Sequence, residues 1–248
     1  MKKAKALLAG ALVLALGLVM GCKQPVTSDP EIGKKIDGGW IVENQENNST
    51  EYWRWLRTVG GNSYASATMN LEMTDPTAGK IGFIFGFQEM YDSQTGKKNG
   101  KYSYYQFGVG VGQQNSSNPG KLEYYVAYYE NVDKDSYTGH NNSEGPKGVA
   151  PVDVVANAAP DELQKLYKEG EPLKISVQME WNKENGYKLS YGESESQASA
   201  TQIGSNFFTN NMQKGEIGYY AMLTKGRPVK STFKYVVAQK SILAAEEE

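Results

Sequence analysis

Glu123 and Glu130 bracket the run EYYVAYYE, and tyrosines also crowd the run GKYSYYQFGVGVGQQ just before it. Cleaving a glycosidic bond takes two carboxylates, one to protonate the leaving oxygen and one to act as nucleophile or base. Aromatic faces, for their part, pack on the C–H groups of sugars while amides and carboxylates bond the hydroxyls. These are the residues whose types and spacing suggest chemistry. As isolated acids at the two ends of a strand, however, Glu123 and Glu130 read as solvated surface. Other chemistry has less material. The chain has one histidine, His140, and one cysteine, Cys22. A serine or cysteine nucleophile therefore has no credible base, and zinc has no second imidazole. The stretch DKDSYTGHNNSE places Asp133, Asp135 and Glu144 at the first, third and twelfth positions of a calcium loop. Tyr137 and Thr138 stand where that loop needs an oxygen ligand and a glycine, so no cofactor is expected and calcium is a weak reading.

The tyrosines are placed by strand parity, since side chains alternate between the two faces of a strand. In the first run Ser103, Tyr105, Phe107, Val109 and Val111 share the apolar face, leaving Tyr102, Tyr104, Gln106, Gly108 and Gly110 on the other. In the second, Leu122, Tyr124, Val126 and Tyr128 point inward, and Glu123, Tyr125, Ala127 and Tyr129 point outward. Each Tyr-Tyr pair is split between inside and outside. The outward set is a flat aromatic surface, either a sugar-binding face or a face lying beneath another strand, loop or subunit.

Strands must position these residues. From Trp40 onward the dominant period is two. LKISVQMEW alternates Leu173, Ile175, Val177, Met179 and Trp181 with polar residues, and Tyr187, Leu189 and Tyr191 resume the alternation after the NKENG turn, which predicts a hairpin. Ala65 to Met73, then Ile81, Phe83, Phe85 and Phe87, Ile217 to Leu223, and Phe233 to Val237 follow the same template. The expected fold is all-β, a two-sheet antiparallel β-sandwich, with one short helix, PDELQKLYKEG, in a long connection over 131–171. Trp53 and Trp55 fall on one strand face, as caps on the end of the core. With 26 basic and 28 acidic side chains and no long run of either sign, nucleic acid is excluded as a partner.

The chain opens with Lys2, Lys3 and Lys5 followed by an apolar run from Ala6 to Met20, the pattern of an export signal. That run ends Leu18-Val19-Met20-Gly21-Cys22, which resembles a bacterial lipoprotein signal: Val19 and Gly21 match, and Met20 is bulkier than usual. The resemblance implies cleavage before Cys22, lipid on its sulfur and a bacterial membrane-anchored, exported protein. Loss of three lysines and no acid moves the formal charge from −2 to −5. The expected organisation is a signal peptide over 1–21, a lipidated tether over 22–39, one sandwich domain over 40–240 and an acidic tail over 241–248.

The order of segments, GKIGFIFGF, KYSYYQFGVG, a second tyrosine strand, EPLKISVQMEW, KGEIGYYAML and STFKYVVAQK, is similar to the concanavalin A-like lectin/glucanase jelly roll, in particular its laminin-G-like and glycoside-hydrolase-associated branches. The likeness spans roughly residues 40–240 and is one of strand pattern. It implies a carbohydrate site on or beside a concave sheet face, where Gln88, Tyr104, Gln106, Tyr125 and Tyr129 are expected to bind ligand. The glucanase members carry an E-x-D-x-E run that this chain lacks, and Gln106 stands where sugar-processing relatives often show an acid. The sequence therefore leans away from an enzyme and toward a lectin or adhesin with a glycan or a host or envelope protein as partner. The alternatives are a structural or protein-binding surface lipoprotein without sugar binding, and a glycoside hydrolase.

Overall fold

The computed structural model of the chain describes residues 33–43, 53–58, 63–114, 116–133, 139–140, 145–146, 148–223 and 229–236. Outside these fall the leader, Cys22, the tail from 241 onward, most of the calcium-like stretch and the side chains of Trp53 and Trp55. The described strands are β1 (Gly33–Ile36), β2 (Gly39–Glu43), β3 (Trp53–Thr58), β4 (Ser66–Met73), β5 (Gly79–Tyr91) and β6 (Lys98–Val111). They continue as β7 (Leu122–Asp133), β8 (Gly139–His140), β9 (Asp153–Ala158), β10 (Leu173–Asn182), β11 (Gly186–Gly192), β12 (Thr201–Phe208), β13 (Glu216–Leu223) and β14 (Lys230–Val236). They form two antiparallel sheets, ordered β1-β2-β14-β4-β10-β11-β12 and β8-β3-β13-β5-β6-β7-β9. The expected all-β sandwich is the observed fold.

Alternation builds the core between the sheets. Ala67, Met69, Leu71 and Met73 of β4 are buried and pair in register with Met179, Val177, Ile175 and Leu173 of β10. From the other sheet Phe83, Phe85, Tyr105 and Phe107 meet them in one apolar cluster. The β10–β11 hairpin turns as the sequence predicts. Asn182 Oδ1 accepts from the backbone N–H groups of Glu184 and Asn185, and Gly186 adopts φ 85° where a Cβ would sit 2.4 Å from the Phe208 carbonyl oxygen.

Three expectations are corrected by local chain geometry. β1 begins at Gly33, inside the stretch read as tether, and joins the sheet through β2; its residues, GKKI, have too little apolar character to signal a strand. The helix is one turn, Asp161–Gln164, and does not run on to Gly170. Its last side chain turns back to the sheet, Gln164 Nε2 donating to the Leu122 carbonyl at 2.7 Å and Oε1 accepting from the Leu122 N–H at 3.0 Å. The third correction is at Gly86, where φ is 62° and the register against both β6 and β13 shifts. Such a bulge inserts one residue and reverses parity beyond it. Phe85 stacks on Tyr105 in the main core, whereas Phe87 lies on the opposite face against Tyr102 and Tyr104.

Candidate functional site

The outer face of β5, β6 and β7 collects most of the residues singled out in the sequence. Gln106 sits between Ile84 and Ala127, Tyr104 lies opposite Tyr129, Gly108 opposite Tyr125 and Gly110 opposite Glu123. Tyr104, Gln106, Tyr125 and Tyr129 therefore share one face, as parity requires. Gln88 does not join them. Beyond the Gly86 bulge it pairs with Ser103, on the inner-face parity, at the end of the sheet.

Nor is this face an open groove. Tyr104 and Gln106 are 0% exposed and Tyr129 is 1% exposed, while Tyr125 is half-buried. Part of the cover is a strap that includes residues 145–146 and 148–151. Gly145 rests against the Tyr129 ring so closely that a Cβ would come within 2.7 Å of it. Val149 packs on a second apolar cluster of Ile84, Phe87, Tyr104, Ala127, Tyr129 and Val132. Tyr104 and Tyr129 pack with ring centroids 5.5 Å apart. Burial, with the Tyr125 hydroxyl beside it, pushes the Tyr129 hydroxyl far above the usual tyrosine range.

Between strap and sheet remains a recess of about 340 Å³, lined by Lys80, Glu123, Tyr125, Tyr129, Val149 and Asn157 among others. At its floor Lys80 Nζ lies 2.9 Å from Glu123 Oε1, with both side chains almost fully buried. Glu123 Oε2 accepts from Asn118 Nδ2 at 3.3 Å. The Lys80 ammonium is 5.8 Å from the centre of the Tyr125 ring. Glycines make this possible. A Cβ on Gly110 would stand 3.0 Å from Lys80 Cγ, and one on Gly108 would stand 3.1 Å from the Tyr220 ring, so both long side chains lie over positions that present no bulk.

Glu123, a solvated strand end by its sequence, is buried in an ion pair. A charge taken out of water needs a partner and further hydrogen bonds, and Lys80 and Asn118 provide them. Lys80 itself was missed. Its signal is visible in GKIGFIFGF, where one lysine stands within an apolar strand. Glu130 accepts from the Tyr128 hydroxyl at 2.9 Å, the hydroxyl of a tyrosine belonging to the main core.

The recess thus combines an aromatic face, a carboxylate, an ammonium group and the Asn157 carboxamide. That set can pack on one face of a sugar ring and bond its hydroxyls. Glu123 is the one carboxylate among the described lining residues. Among the described residues no cluster of His, Cys, Asp and Glu could hold a metal ion.

Compared by sequence, the chain matches no described family and no curated protein. Compared by structure, it is similar to a glycoside hydrolase family 16 endo-glucanase from Bacteroides ovatus, with 9% identity and a TM-score of 0.46 over 82% of each chain. It is also similar to a tetrameric galectin from the ball sponge Cinachyrella sp., with 9% identity, a TM-score of 0.37, and 74% of this chain and 99% of that one covered. A legume lectin-like domain from Entamoeba histolytica gives 9% identity and a TM-score of 0.38 over 84% of this chain and 81% of that one.

Proposed function

We propose that this protein is a lipid-anchored envelope protein whose β-sandwich binds a glycan, without cleaving it, in the recess beside Tyr125. One observation carries the reading: a half-buried tyrosine ring lines a cavity whose floor is a buried ion pair. A cavity with an apolar wall and a few convergent polar groups is the form that small-ligand sites take. The test is a glycan-array screen of the full chain held in detergent. Binding to a defined set of sugars is expected; no binding to any printed or soluble glycan would sink the reading.

The anchor rests on Lys2, Lys3 and Lys5, the apolar run and the Val19-Met20-Gly21-Cys22 junction. More than one acyl chain at Cys22 would hold the protein stably at a membrane. Mass spectrometry of the N-terminal peptide should find cleavage before Cys22 and acyl chains on it. An unmodified Cys22 in protein extracted from the envelope would refute the anchor.

A second reading has an observation in its favour. Tyr104, Gln106 and Tyr129, most of the face expected to meet a sugar, are buried. In a protein-binding lipoprotein those rings would be packing alone, and the glycan screen would be blank.

A further inference from the structure

We infer that Tyr129 is the positioning residue of the recess: its buried hydroxyl holds the hydroxyl of Tyr125 and so fixes the ring on which a sugar packs. This rests on the glycan reading above and deepens it, by giving a role at the site to a side chain that is itself 1% exposed.

The pair is a product of strand spacing. Tyr125, Ala127 and Tyr129 stand on one face of β7, and at about 3.3 Å per residue the two tyrosines are roughly 13 Å apart along the strand. Their hydroxyls meet across that gap because both rings lie down along β7, toward each other. Ala127, between them, presents one methyl group for the rings to cover; it is 0% exposed and belongs with both tyrosines to one apolar cluster. The Tyr129 hydroxyl is hydrogen-bonded to that of Tyr125, and the bond favours the protonated form of Tyr129, which makes Tyr129 the donor.

The two partners are held unequally. The Tyr129 ring packs against that of Tyr104 with centroids 5.5 Å apart, and a Cβ on Gly145 would come within 2.7 Å of the Tyr129 hydroxyl. Packed on both sides, Tyr129 is a fixed post. Tyr125 is half-buried and lines the recess. Lys80 constrains it from a second direction, its ammonium 5.8 Å from the ring centre and so within range of a cation–π contact. A half-exposed side chain that moves between rotamers has to be ordered by each ligand it meets, which lowers affinity, whereas a ring already anchored at its far end does not. Deleting the Tyr129 hydroxyl therefore leaves the Tyr125 ring in the recess but loosens it.

The test is a printed glycan array, read as a concentration series with four full-chain proteins in detergent: wild type, Tyr125→Phe, Tyr129→Phe and the double variant. All four keep both rings. On the glycans that wild type holds, Tyr129→Phe should weaken binding about fivefold, and it should have no effect once Tyr125→Phe is in place, because the bond it breaks is already gone. Tyr125→Phe breaks the same bond from its half-exposed end without touching the buried ring, and so separates loss of the bond from loss of packing. Melting temperatures within about 4 °C of wild type are expected for all three variants. An unchanged affinity in Tyr129→Phe would overturn the positioning role while leaving glycan binding intact, and so would an equal loss from Tyr129→Phe in both backgrounds. A blank array with wild type would overturn the glycan reading and this inference with it.

Discussion

Lys80→Met will destabilise the sandwich by about 3–5 kcal/mol, and adding Glu123→Leu will recover most of that loss. The two groups meet at 2.9 Å with side chains 6% and 3% exposed. Removing the lysine leaves a carboxylate deep on the sheet face, still accepting from Asn118 Nδ2 but without its cation. Replacing both leaves apolar side chains over Gly110, with no orphaned charge. The measurement is urea unfolding of wild type, the two single variants and the double variant, followed by circular dichroism. A cost below about 1 kcal/mol for Lys80→Met would mean that water already relieves the pair. Both the single and the double variant should lose glycan affinity, and the stable double variant separates lost chemistry from lost folding.

Above pH 10 the fold will fail cooperatively. Burial raises the Tyr105 hydroxyl from 10.0 to about 12, and it pushes those of Tyr129, Tyr128, Tyr187 and Tyr219 upward as well. The sign follows from which state ionises first. An unfolded tyrosine gives up its proton near pH 10, whereas a folded one with a raised pKa keeps it. The stabilisation is therefore whole below pH 10 and is lost as pH climbs toward the folded value, by up to about 1.4 kcal/mol per pH unit for each fully buried hydroxyl. Several such groups exhaust a stability of about 5–15 kcal/mol between pH 10 and 12. Absorbance of the tyrosinate and loss of circular dichroism should rise in one step. Smooth ionisation near pH 10 with the fold intact would contradict the buried tyrosine core.

The split of each Tyr-Tyr pair was legible because parity is local. Tyr105, Tyr124 and Tyr128 do face the core, and Tyr104, Tyr125 and Tyr129 do share the other side. Parity failed at Phe87 and Gln88 because one backbone event, the Gly86 bulge, reverses it, and a glycine among phenylalanines looks the same with or without a bulge. β9 went unread inside the 131–171 connection because DVVANA has little alternation of its own and becomes a strand by pairing with β7.

The site itself was less legible than the fold. Lys80 and Glu123 are 43 residues apart, and nothing in either neighbourhood announces the other. The strap is a matter of tertiary placement. Gly145 and Val149 lie in an unpatterned stretch, and their contact with Tyr129 and its neighbours exists once β7 and the connection have folded together. Outward parity was correct for Tyr104 and Tyr129, but outward on a sheet that a loop covers does not mean exposed.

The most direct test of the account is calorimetric titration of the array-identified sugar into the full chain and its Tyr125→Ala variant, with circular dichroism as the check on folding. The half-buried Tyr125 ring is the aromatic wall of the recess, and loss of one stacked ring is worth about 1.5 kcal/mol, a fall in affinity of about tenfold or more. An unchanged affinity in a folded Tyr125→Ala protein would place the glycan elsewhere and contradict the site.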